Sequence, residues 1–119
     1  MNWIMSEVIA REKENAPFFY LYHLMGNKYV SFGKSAYMLQ LLFPFVHSYK
    51  IECRASVCLA VSETTLNEDL FTLMEEEKMV RIHSSKKATM EMIEHWKTGL
   101  ELREKESLDI SFLEKIRTI

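Results

Sequence analysis

The chain has 119 residues, a formal net charge of −2 and a pI near 6.1, so it holds one domain and is no globally basic nucleic-acid coat. Hydrophobic residues make up 48% and charged residues 27%, with 7 Phe, 5 Tyr and 2 Trp, a composition that excludes extended disorder. Only 3 Gly and 2 Pro leave few turns, which argues against an all-β sandwich and for a mainly α fold.

Residues 1–14 form an amphipathic helix, with Trp3, Ile4 and Val8 on its apolar side and Glu7, Arg11, Glu12 and Glu14 opposite. Phe18 to Met25 is apolar almost throughout. Leu21, Leu24 and Met25 fit helical spacing, so a buried helix is expected, ended by Gly26-Asn27. Lys28 to Phe32 alternates and suits a short strand or a loop. Gly33 to Tyr49 carries a helical stripe of Tyr37, Met38, Leu41, Leu42, Phe45 and Val46, with Ser35 as cap. Pro44 removes a backbone donor inside that pattern, so the helix either kinks there or ends near Leu42.

A helix is expected from about Cys53 to Val61, then Ser62 as the cap of a second helix running from Glu63 or Thr64 to Lys78. Leu66, Leu70, Leu73 and Met74 form its apolar stripe. Met79 to Ile82 has β character and Ser84 to Lys87 is a polar turn. Ala88 to Glu106 reads as an amphipathic helix with Met90, Ile93, Trp96 and Leu100 on one stripe, and a last short helix follows from Leu108.

The pattern Ala55-x-x-x-Leu59-Ala60-Val61-Ser62-x-x-Thr65-Leu66-x-x-Asp69-Leu70-x-x-Leu73-x-x-Glu76-x-x-Met79-Val80-Arg81 resembles a winged helix-turn-helix domain. The resemblance covers about thirty residues and names a superfamily. It implies a mainly helical fold: an N-terminal helical segment over 1–34, a winged-helix core over 35–88 with a small β-wing, and C-terminal helices over 89–119. A DNA reader of that kind presents the start of its second helix to base edges. Here that start offers Thr64, Thr65 and Asn67, with Arg54, Arg81, Lys86 and Lys87 as phosphate contacts. Lys50 and His83 add to the basic set. Against this, the stretch 62–77 carries six acidic residues and no basic one, and phosphate neutralisation supplies most nucleic-acid affinity.

The leading expectation is a small DNA-binding transcriptional regulator, dimeric through Met90, Ile93, Trp96 and Leu100. The alternative is an adaptor or phage-type inhibitor that binds a larger protein and no nucleic acid. The aromatic group Phe18, Phe19, Tyr20, Tyr22 and Tyr29 suits a core better than a base-stacking platform.

No enzyme activity, cofactor or metal is expected. Gly33-Lys34-Ser35 resembles the end of a phosphate-binding loop, but the glycine that motif requires falls on Lys28. His23, His47, His83 and His95 lack metal-ligand spacing. Cys53 and Cys58, in a C-x4-C arrangement, read as free thiols. With no leader pattern and no apolar run near the roughly 20 residues a membrane span needs, a cytoplasmic protein is expected.

Overall fold

The architecture is a six-stranded mixed sheet with three helices, seen in a computed structural model that describes residues 5–14, 16–52, 58–65, 79–84 and 86–103. In chain order the elements are α1 (Met5–Glu12), β1 (Phe18–Met25), β2 (Lys28–Phe32), α2 (Gly33–Leu42), β3 (His47–Glu52), β4 (Cys58–Thr65), β5 (Met79–His83), α3 (Met90–Thr98) and β6 (Leu102–Arg103). The strand order is β5-β1-β2-β4-β3-β6, antiparallel throughout except for the parallel pair β3–β6.

This overturns the mainly α, winged-helix expectation. Among the described residues strand accounts for 43% and helix for 34%, and β5 pairs with β1 and with no wing strand. Two segments carry the difference. Residues 18–25 are a strand, because both of its faces are buried: Phe19 and Leu21 point into one layer, Tyr20 and Tyr22 into the other. Burial on two sides makes a continuous apolar run, and such a run has no period that separates strand from helix.

Residues 58–65 are likewise a strand, between β2 and β3. Ser62 caps no helix. Its buried hydroxyl donates to the Ala36 carbonyl at 3.0 Å and lies 2.7 Å from the Ser48 hydroxyl. Residues 53–57 and 66–78 lie outside the described residues, as does the last helix expected from Leu108.

Other expectations hold. Residues 5–12 are helical, with Val8 fully buried. Gly26-Asn27 ends the element before it as expected, but by turning β1 into β2, with Gly26 at φ +54°, a conformation glycine takes without the clash a Cβ brings. Helix α2 stops at Leu42, just ahead of Pro44, and β2 and β5 lie where strand character was read. Helix α3 is shorter than expected: Thr89 caps it by accepting from the Met92 N–H at 3.1 Å, and Gly99 closes it.

The core has two layers. One face of the sheet gathers Tyr20, Tyr22, Val30, Phe32, Tyr49, Ile51 and Val61 with Val8 of α1. On the other, Phe19, Leu21, Tyr29 and Val80 pack with Met38 and Leu39 of α2. Under α2 a row of serines crosses three strands: Ser31 on β2 is the register partner of Ser62 on β4, which partners Ser48 on β3. Their small side chains let the helix backbone come close enough for the Ser62–Ala36 bond. No helix among the described residues is long and apolar enough to cross a membrane.

Glu12 ties α1 to the start of α2. Its carboxylate accepts from the Ser35 N–H at 3.0 Å and the Ser35 hydroxyl at 2.5 Å, and Ser35 Oγ accepts from the Tyr20 N–H at 2.9 Å. Glu12 is therefore the cap that Ser35 was expected to be, and it comes from another helix. Burial pushes the Glu12 carboxyl from its ordinary 4.5 to about 7, with the two Ser35 bonds opposing the rise. The folded state binds this proton more tightly than the unfolded state. The contribution is fully present below pH 4.5 and is lost as the pH rises through 7. Denaturant midpoints measured at pH 5 and pH 8 should show lower stability at pH 8, and Glu12→Gln should flatten that difference.

Candidate functional site: a basic cleft at the edge of the sheet

Three segments meet at the start of β1: the Ala16-Pro17 entry, the first turn of α2, and the stretch from His83 to Ala88 that leaves β5. The Ser84 N–H donates to the Pro17 carbonyl at 2.8 Å, and the Lys86 N–H to Ser84 Oγ at 3.2 Å. Between them lies a cleft of about 440 Å³. Its charged and titratable lining residues are Lys34, His83, Lys86 and Lys87, and none of its described lining residues is acidic. Pro17, Phe18, Met38 and Ala88 give it an apolar side.

The cleft's basic groups are held in different ways. Lys34 Nζ donates to the Glu14 and Ala16 carbonyls at 3.1 and 3.2 Å. That leaves one of the three ammonium N–H donors for a ligand. Lys86 and Lys87 are exposed and have no acidic partner among the described residues. On the adjoining edge strand, the Arg81 guanidinium lies 4.7 Å from the centre of the Phe18 ring, and the His83 ring meets the same phenyl edge-on at 5.6 Å. The Phe18 ring thus meets both a cation and an imidazole, on the face of the sheet that carries Tyr20 and Tyr22, and Arg81 is exposed.

The residues expected to contact DNA divide. Lys86 and Lys87 come together in the cleft, and Arg81 stands beside it on Phe18. Thr64 and Thr65 do not join them. They end β4 opposite Tyr29 and Lys28, at the turn end of the β1–β2 hairpin. The eight residues of β1 separate that end from the cleft, roughly 20 Å at the rise of a strand. Arg54 and Asn67 lie outside the described residues. Lys50 is on β3, three strands from β1, with its ammonium on the Thr98 carbonyl.

The expected dimer stripe is largely used within the chain. Ile93 is buried, and Trp96 donates from its indole N–H to Gln40 Oε1 at 2.6 Å with its ring edge-on to Tyr37, so α3 packs on α2. Leu100 is half-buried and Met90 is exposed.

Lys34 was not among the expected contacts. The sequence does carry a signal for it: a lysine in a helix's first turn, with no acidic residue there, works against the helix dipole. Such a placement adds positive potential at the helix start, part of which the nearby Glu12 carboxyl offsets. Of the expected aromatic group, Tyr20, Tyr22 and Tyr29 are buried in the core away from the cleft, and Phe18 and the buried Phe19 line it.

Among the described residues no three His, Cys, Asp or Glu side chains group as metal ligands would. Comparison with protein-family models, curated proteins and solved structures finds no match, so the cleft's own chemistry carries the functional reading.

Proposed function

We propose that this protein binds nucleic acid, with Lys34, Lys86 and Lys87 holding phosphate in the cleft and Arg81 meeting the backbone beside it. The observation that carries the reading is the convergence of three lysines and His83 on a concave site whose described lining has no acidic residue, in a chain whose net charge is −2. Positive charge gathered locally against a negative whole favours a polyanion at one place on the surface. The grip needs no helix in a major groove. Cys58, a free thiol on β4, supports a cytoplasmic setting.

The test is retention of labelled single- and double-stranded DNA on the purified protein at 50 and 200 mM salt. Binding at low salt that falls by at least tenfold at the higher salt is expected, because each neutralised phosphate releases counterions. Absence of binding at 50 mM removes the reading.

A protein partner or a second copy is the other reading, and one observation favours it. Leu41, Leu42 and Phe43 at the end of α2 are 45%, 40% and 42% exposed, and Phe45 beside them is 97% exposed. An apolar run left in water in this way suits a protein interface. Sedimentation of the protein and of Phe45→Ser distinguishes the cases: a dimer that becomes a monomer on substitution identifies self-association.

A further inference from the structure

The basic cleft has a shape that narrows its ligand further than charge alone. We infer that it takes the terminal, phosphate-bearing nucleotide of a single strand, an inference that rests on the nucleic-acid reading above. The site is concave and about 440 Å³, within the roughly 300–1,000 Å³ of clefts that enclose a small molecule. A duplex cannot enter such a space, and reading its major groove takes a protruding helix or ribbon.

One nucleotide matches the way the lining is divided. Lys34, Lys86 and Lys87 supply the cationic part, where a phosphate fits, with His83 beside them. Pro17, Phe18, Met38 and Ala88 supply an apolar wall, where the flat face of a base loses water. The firm part of this wall is Phe19 packed with Met38 beneath α2, where Ala88 also packs.

A terminal phosphate suits this site better than an internal one. A phosphomonoester carries about −1.5 to −2 charges at neutral pH, against −1 for a diester, and it has three free oxygens to share among several donors. The remaining donor of Lys34 and the ammonium groups of Lys86 and Lys87, which have no acidic partner among the described residues, are enough to take them. The strand would then leave the cleft past Arg81.

The experiment compares one 12-nucleotide single strand, dye-labelled internally, with a 5′-phosphate, a 3′-phosphate or hydroxyls at both ends. Anisotropy is read with the unmodified protein and with Lys86→Ala. Adenosine monophosphate, adenosine and inorganic phosphate serve as competitors, and binding of a fluorescent adenosine monophosphate is measured directly.

At least tenfold tighter binding of one phosphorylated strand is expected, with a smaller preference in Lys86→Ala and displacement by the monophosphate but not by adenosine. Equal binding of all three strands, with no displacement by the monophosphate, overturns the inference and leaves the nucleic-acid reading standing. Displacement by inorganic phosphate as effective as by the monophosphate overturns the part assigned to the base. Binding of the fluorescent monophosphate without binding of any strand keeps the nucleotide site and removes the nucleic-acid reading. Binding of neither removes both.

Discussion

Ser62→Leu should lower the melting temperature by on the order of 10 °C, a cost of about 2–4 kcal/mol. Ser62 is fully buried beneath α2, at the middle of the Ser31–Ser62–Ser48 row. A leucine there adds volume where the sheet and the helix backbone are close enough for a 3.0 Å hydrogen bond. It also removes the bond to Ala36 and the partner of the Ser48 hydroxyl. Ser62→Ala should cost much less, about 1 kcal/mol, since it deletes the bonds without crowding the layer. Thermal unfolding followed by circular dichroism checks both. The pair also separates two folds: a helix cap loses about as much to alanine as to leucine, whereas a buried central strand loses far more to leucine.

The second large effect belongs to the cleft. Lys86→Ala combined with Lys87→Ala should weaken single-strand binding by roughly 10- to 100-fold at low salt. The double variant should also flatten the slope of log affinity against log salt by about 1.4, two contacts at about 0.7 each. Both lysines are exposed and their side chains make no contact that holds the sheet or α2 together among the described residues, so the fold should keep its melting temperature. Loss of affinity with an unchanged slope would mean that the lysines position the ligand without neutralising phosphate. An unchanged affinity would take them out of the site.

The sequence was most legible where one face of an element is wet. Helix α1 announces itself through the buried Val8 set against the exposed Glu7, and Gly26-Asn27 marks the end of the element before it, although that element is a strand and the end a hairpin turn. Pro44 marks the end of α2, which lies at Leu42. The centre of the sheet was opaque for the opposite reason. In β1 and β4, neighbouring residues are buried on opposite sides, so Phe19-Tyr20-Leu21-Tyr22 and Ala60-Val61-Ser62 show no alternation.

Ser62 compounded the difficulty. A serine before a polar stretch has the chemistry of a helix cap, and only the tertiary partners Ala36 and Ser48 reveal that its hydroxyl is spent elsewhere. The helical resemblance across 55–81 therefore rested on a residue whose role is set from outside its own segment. The site was half legible. Lys86 and Lys87 stand out as adjacent charges in a turn, and they do line the cleft. Their partners Lys34 and His83 are 49 residues apart in sequence, and only the placement of α2 beside the end of β5 brings them to one site.

The most direct measurement is a chemical-shift map of the backbone amides during titration with a short single-stranded oligonucleotide. Shifts confined to residues 16–19, 34–38 and 83–88, with Arg81 at their border, are expected. Shifts centred on Leu41 to Phe45, or on Thr64 and Thr65, or no shifts at all, would contradict a nucleic-acid grip at the cleft.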